Sequence, residues 1–465
     1  MPYGETLEIE SYPLKAGDFL TEPTALHETL EARGVLQFRA YKSGLFPASD
    51  LPPETGEATG MDMAWLRDNA HVINALYETG HHDLAAAGGR AILTILQNNR
   101  EILDGVADDS APDRRLPVRV KGDTLQNDTE PRVQNDSTGY ALRITSKLIR
   151  RSLLQASDQE LGTLAQTARY LEKIKFWEAE DEGHWEEDRR VHGSSIGVVV
   201  GGLREAQAMF SEKNYAHDID FDDLRRRGES ALYAILDQGR SDLGSDASSE
   251  EERLYPSTIE PHELVRQHFD RFSVSNRKYD AALLCLTEPM DVLDDSHKEK
   301  VVQDIIQNLQ RKNGFARYDS GDTYWEPRFP SIMSIEERTK LSQGSTDRRN
   351  QTAAGVAFTE TEAQWTLFDP LLSAYWGKRY AATGDETERE KQLFYLNRSL
   401  AQMVTTPTGE LQLPEAYYLE YLEETPTRPA GNYWIANPHT PLLWSQANLL
   451  LALKVFEATT SHAGS

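Results

Sequence analysis

The chain has 465 residues, 39% of them hydrophobic, and a formal net charge of −26 at pH 7. A surface this acidic repels phosphate backbones and anionic lipid, which argues against nucleic acid and membrane partners. No apolar run approaches the roughly 20 residues needed to span a bilayer, and Cys285, the single cysteine, leaves no intramolecular disulfide and argues against a thiolate metal site.

The N-terminus, MPYGETLEIESYPLK, has neither a basic n-region nor an apolar h-region, so no targeting segment is expected. A cytoplasmic location is expected from the cysteine usage. Arginine outnumbers lysine about two to one, as in proteins of salty cytoplasm, where an acidic, lysine-poor surface keeps its hydration. Residues 1–42 are expected to form an arm that packs on one domain, 43–465.

Apolar residues then recur at helical spacing near 67–79, 81–101, 136–156, 159–177, 194–210, 220–238, 278–287, 297–311, 362–382, 386–403 and 440–457. Gly80 reads as the residue that ends the first of these, Thr440-Pro441 as the start of the last, and Ser194 and Ser195 as caps for the helix beginning at Ile196. Segments such as IGVVVGGL and PLLWSQANLLLALKVF are apolar nearly all round, whereas DQELGTLAQTARYLEKI has a clear polar face. Enclosed and half-exposed helices alternating along a chain imply concentric rings. The expected fold is all-α, an (α/α)6 barrel with six inner helices inside six outer ones. Long loops at 103–135, 178–193, 239–276, 313–361 and 404–439 exceed what connection requires, and long ordered loops usually carry function.

Five polar, aromatic clusters stand out, most of them at or before the start of an apolar helix. Trp65-Leu66-Arg67-Asp68-Asn69 offers a guanidinium fork beside a carboxylate, suited to sugar hydroxyls, or else simply an N-terminal cap. In Trp185-Glu186-Glu187 a carboxyl against an indole loses water, which raises its pKa and suits a general acid; a solvated acidic pair is the plainer alternative. Arg317-Tyr318-Asp319, with Asp322, Tyr324 and Trp325, and Glu362-Ala363-Gln364-Trp365 combine aromatic faces with hydroxyl-binding groups; helix capping and packing are the plainer alternatives. In LPEAYY, Pro414 restrains the backbone before Glu415. Asn437-Pro-His439 leads into the last apolar helix. Five of the eight tryptophans lie in or beside these segments, and two carboxylates on separate loops with Trp and Arg around them suggest glycoside hydrolysis.

These motifs resemble glycoside hydrolase family 15, the glucoamylase family, especially its branch related to the α and β subunits of phosphorylase kinase. SGLFPAS (43–49), MAWLRDNAHV (63–72), LPVRVKGDTL (116–125), QNDSTGYALRITSKL (134–148), HWEEDRRVHGSSIGVVVGGLREA, KYDAALLCL, GFARYDSGDTY, TEAQWTLFDPLLSAYW, LPEAYY and HTPLLWSQANLLLAL follow in family order, from about residue 43 to 457. The resemblance implies that Arg67 and Asp68 hold the non-reducing glucosyl unit, that Glu186 is the general acid and Glu187 a binding residue, and that Glu415 is the general base. Arg317, with Tyr318, Gln364 and Trp365 of the neighbouring motifs, would bind sugar near the scissile bond, and Trp65 and Trp185 would line the pocket. Fungal glucoamylases carry an Asp two positions before the Trp of the acid motif, where this chain has Gly183. Within these residues neither a starch-binding module nor the β-sandwich that precedes many bacterial catalytic domains is expected.

The expected activity is that of an inverting, exo-acting α-glucosidase on malto- or isomalto-oligosaccharides or a small α-glucoside, with β-glucose released and no metal or organic cofactor. A monomer or small homo-oligomer is expected, with a carbohydrate as the partner. A non-catalytic glucan-binding or regulatory protein is the alternative that the kinase-subunit resemblance allows.

Overall fold

A computed structural model describes residues 12–51, 60–129, 132–186, 189–244, 277–318, 363–422, 424–426 and 428–462. Much of the long loops 239–276 and 313–361 lies outside these residues. Twelve α-helices are described: α1 (Pro23–Ala32), α2 (Leu66–Glu78), α3 (His82–Asn98), α4 (Arg100–Ala107), α5 (Asn135–Arg150), α6 (Asp158–Lys173), α7 (Gly193–Lys213), α8 (Phe221–Asp237), α9 (Asp295–Leu309), α10 (Phe368–Thr383), α11 (Glu386–Ala401) and α12 (Leu443–His462). A six-residue 3-10 helix, Ala281–Leu286, stands between α8 and α9.

Packing closes these elements into a ring. α2 packs on α5, α5 on α7, α7 on the 3-10 helix, the 3-10 helix on α10, α10 on α12, and α12 back on α2. Outside them α3 covers α2, α6 covers α5, α8 covers α7, α9 covers the 3-10 helix, α11 covers α10 and α1 covers α12. The result is an (α/α)6 barrel.

Residue pattern explains who sits where. α2 is buried without a break from Leu66 to Leu76, and α7 from Gly193 to Leu203, as helices enclosed on all sides must be. α6 has a wet face and a strong start, because Ser157 and Glu160 exchange the two hydrogen bonds of a capping box. Where α5 crosses α7, glycine sets the distance. A Cβ on Gly202 would lie 2.5 Å from the Gly139 carbonyl oxygen, and one on Gly139 would lie 2.9 Å from the Val199 backbone. One hydrophobic cluster runs through the molecule, from Leu26 and Leu30 of α1 to Phe456 of α12. Cys285 is buried in it, and burial pushes its thiol up to about 12, so it behaves as a small core residue.

Several boundaries differ from the sequence expectation. The segment near 278–287 forms a short 3-10 helix rather than an α-helix. Asp280 caps it by accepting from the Ala282 amide, and Pro289 disfavours helical geometry at the preceding Glu288. The segment 81–101 is two helices broken at Asn99, whose side chain bonds the Ile95 carbonyl and Asn127. Ser194 and Ser195 lie inside the first turn of α7 instead of capping it, since helical geometry already begins at Gly193. Thr440-Pro441 does not start α12. The Thr440 hydroxyl donates to the Asn437 carbonyl, and the helix begins at Leu443, whose amide bonds the Ala48 carbonyl. Gly80 follows α2 with φ 87°, as expected for a helix-ending glycine.

Short strands sit at the N-terminal end of the inner ring. Met63–Trp65 pairs with Arg119–Lys121 and leads into α2, and Arg190–His192 pairs with Asp242–Gly244 and leads into α7. Gln364–Trp365, which precedes α10, pairs with Ala416–Leu422, and that strand pairs in turn with Gly431–Ala436. Through this arrangement the loops before several inner helices meet at one mouth.

Candidate active site

Arg67, in the first turn of α2, is the hub of the mouth. It is only 4% exposed, which is sustainable for a guanidinium only with anionic partners. Its Nη1 lies 3.3 Å from Asp136 at the start of α5 and 3.4 Å from Gln134, its Nη2 lies 3.1 Å from Oε1 of Glu186, and its Nε lies 3.7 Å from Asp68. Burial works against the Arg67 charge, but Asp136, Asp68 and Glu186 outweigh it and hold its proton more firmly than usual. Burial likewise pushes the Asp68 carboxyl up to about 7; Arg67 pulls it back, while the charges of Glu186 and Glu415 push it further up.

Glu186 ends the described part of its loop in a left-handed backbone conformation, φ 58°. A bulky side chain adopts this region at a cost, and such outliers concentrate at functional sites. The turn sends neighbouring side chains different ways. Trp185 does not cover Glu186 as the sequence suggested. Its indole Nε1 donates to Oδ1 of Asp280 at 2.8 Å, and its ring packs on Trp365, Phe368 and Tyr318. Glu186 instead meets two guanidinium groups, since Nη1 of Arg132 donates to Oε2 at 3.2 Å. Its side chain remains 28% exposed.

Trp65 lies beneath three guanidinium groups, with Arg119, Arg132 and Arg67 at 4.9, 5.4 and 5.9 Å from the ring centre. Arg317 sits among aromatic rings: its guanidinium carbon is 5.4 Å from Trp365, 5.5 Å from Trp185 and 5.8 Å from Tyr318. Tyr318 bridges to Asp280 through the backbone, and its ring also carries Arg277 at 3.5 Å. Gln364 has a structural task, because its side-chain oxygen accepts the Asn313 amide at 2.6 Å. Burial pushes the Asp280 carboxyl up to about 6, against the bonds from Trp185 and Ala282.

Glu415 directly precedes the strand Ala416–Leu422. Its Oε2 accepts from Nδ2 of Asn437 at 2.6 Å and bonds Nδ1 of His439 at 2.7 Å. Its backbone carbonyl takes the Thr366 amide at 3.1 Å, which ties it to the start of α10 beside Trp365. The charges of Glu186 and Glu415 both raise the proton affinity of the buried Asp68.

Trp65, Asp68 and Glu186 are thus grouped around Arg67, and Trp185, Tyr318 and Trp365 around Arg317, with Glu415 tied to Thr366 beside Trp365. Glu187, Asp319, Asp322, Tyr324, Trp325 and Glu362 lie outside the described residues. Arg132, Gln134, Asp136 and Asp280 were not singled out from sequence. Asp136 and Asp280 stood in quoted blocks, QNDSTGY and KYDAALLCL, but an isolated Asp before an apolar helix reads first as a cap, which is one of the tasks Asp280 performs. Gly183 has φ 60°, and a Cβ there would lie 2.8 Å from the His192 ring, so the Asp of the fungal motif has no room in this loop. Among the described residues no group of His, Cys, Asp and Glu is arranged to hold a metal ion, and no helix is long and apolar enough to cross a membrane.

The model of glycosyl hydrolases family 15 matches residues 31–389. No curated protein matches the chain. Among solved structures, a wild-type glycosidase is similar with 17% identity and a TM-score of 0.56, over 96% of this chain and 99% of that one. A variant glycosidase in complex with glucose is similar with 17% identity and a TM-score of 0.57, over 96% and 99%. The glucoamylase from Saccharomycopsis fibuligera aligns over 98% of this chain and 97% of its own, with 13% identity and a TM-score of 0.53. At these identities the likeness is one of fold.

Proposed function

Because the chain belongs to glycosyl hydrolases family 15, and so is a glycoside hydrolase, we propose that it is an inverting, exo-acting α-glucosidase that releases β-glucose from malto- or isomalto-oligosaccharides or a small α-glucoside. The observation that carries this reading is a pair of carboxyls on separate loops, Glu186 bonded to the buried Arg67 beside Asp68, and Glu415 tied through its backbone to Thr366, next to the Trp365 that packs on Trp185. Inversion needs one carboxylic acid to protonate the leaving oxygen and one carboxylate on the opposite face to activate water.

In this reading the terminal glucosyl unit enters between Trp65, Arg67 and Asp68. Its hydroxyls take over part of the Arg67 fork that Glu186 occupies in the free protein, and Glu186, carrying a proton, turns to the glycosidic oxygen. Glu415 removes a proton from water as the water oxygen bonds the anomeric carbon. The glycosidic bond breaks, the leaving oxygen keeps the proton of Glu186, and the proton from water rests on Glu415. Arg317 among Trp185, Tyr318 and Trp365 offers donors and ring faces for the sugar on the leaving side. These roles use side chains only.

Proton NMR of the purified protein with maltose, isomaltose, trehalose and maltotetraose, at moderate and high salt, tests the proposal. The β-anomeric proton of glucose is expected first, before mutarotation. Initial release of α-glucose, or no product from any α-glucoside by folded protein, would contradict it.

A further inference from the structure

Two donors converge on one oxygen of Glu415. Asn437 Nδ2 lies 2.6 Å and His439 Nδ1 2.7 Å from Oε2. Bonding a carboxylate requires hydrogen on Nδ1. Oε1 has no hydrogen-bond partner among the described residues, so the two oxygens are not equivalent. The donors are also tied to the backbone beside the residue they serve. The Glu415 amide donates to the His439 carbonyl at 3.2 Å, and the Asn437 amide donates to the Ala416 carbonyl at 2.9 Å. Asn437 is 2% exposed, and the Thr440 hydroxyl holds its carbonyl at 2.7 Å. Residues 415–416 and 437–439 thus form one frame, continuous with the pairing of Tyr417 and Ala436.

We propose that His439, with Asn437, is a positioning residue for the general base: by holding Oε2 of Glu415 the pair presents Oε1 to the attacking water. The inference rests on the reading of Glu415 as that base. A carboxylate swings freely about its last torsion unless one oxygen is pinned, and a proton acceptor misplaced by about an ångström costs orders of magnitude in rate. Water must meet the anomeric carbon and the acceptor oxygen at once. Pinning one oxygen removes the rotation that would separate them. His439 touches neither substrate nor water in this scheme, and its effect passes through Glu415.

The test uses the full chain and an α-glucoside that it turns over. His439→Ala is expected to lower kcat by about 10- to 100-fold while KM stays within about twofold. His439→Asn, whose Nδ2 reaches the place of imidazole Nδ1, is expected to restore most of the rate. In a Glu415→Gln background His439→Ala is expected to change the residual rate less than about twofold, because residues acting as a unit are not additive. Wild-type kcat in His439→Ala, a loss carried by KM instead, a folded His439→Asn as slow as the alanine variant, or a fully additive double variant would each overturn the inference. If His439→Ala does not fold, His439→Asn and the double variant of Asn with Glu415→Gln decide the matter. Wild-type turnover by Glu415→Gln alone would remove the general-base reading itself, which no result in the His439 series can imitate.

Discussion

Arg132 donates to one oxygen of Glu186 at 3.2 Å while Arg67 takes the other at 3.1 Å. The carboxyl is clamped between two guanidinium groups at a backbone angle of φ 58°. Arg67 also serves Asp136 and Asp68, whereas Arg132 stacks over Trp65. Arg132, its side chain 8% exposed, is thus the second guanidinium that orients Glu186. Arg132→Ala is expected to reduce kcat/KM on an α-glucoside by about 10- to 150-fold, one charge-assisted hydrogen bond of roughly 1.5–3 kcal/mol being lost. Arg132→Lys recovers only part of it, because a point charge replaces a fork. Steady-state kinetics of the two variants checks this, and equal activity of the alanine variant and the wild type would refute it.

Glu186→Gln and Glu415→Gln are each expected to lower turnover by several orders of magnitude with folding and sugar binding retained, since each swap keeps shape and removes one proton-transfer group. Glucose binding measured by calorimetry beside the rate assay separates the two effects. Glu187→Gln is expected to raise KM more than it lowers kcat. A loss of kcat at unchanged affinity would move the acid role from Glu186 to Glu187.

Asp68 makes stability depend on pH. Burial, with Glu186 and Glu415 nearby, pushes its carboxyl up to about 7 from the usual 3.8. Between these values the folded chain holds a proton that the unfolded chain has released. The contribution of Asp68 to stability therefore falls as pH rises from about 4 to about 7 and is level above that. Asp68→Asn abolishes this slope. Its Tm relative to wild type is expected to climb between pH 4.5 and pH 7.5 in thermal melts, and a constant difference across that range would count against the assignment.

Gly202→Ala places a methyl group 2.5 Å from the Gly139 carbonyl oxygen, a backbone atom that cannot turn aside. α5 and α7 must move apart, at a cost of about 1–3 kcal/mol for overpacking. A lowered midpoint in urea at unchanged m-value is the expected reading. An unchanged midpoint would show that the crossing has slack.

Helix periodicity is a local property, so α2, α3, α5 to α9, α11 and α12 could be read within a few residues at most of their ends, and with them the two-ring architecture. Arg67, Asp68, Glu186, Arg317, Glu415 and the tryptophans beside them were singled out from their polar, aromatic motifs, whereas Arg132, Asp136 and Asp280 were not. What each one touches was not legible. Adjacency suggested that the Trp185 indole would cover Glu186, but a left-handed residue at 186 turns the two apart, and the indole reaches Asp280, 95 residues away. Arg132 bears on Glu186 from 54 positions back, and His439 on Glu415 from 24 positions ahead. Covalent neighbours decide helix and cap through the backbone, so the chain's own order determined fold class and the identity of the polar clusters. Hydrogen bonds and charge pairing act through space, so only closure of the ring decided that both oxygens of Glu186 are held and that one oxygen of Glu415 is held by two donors.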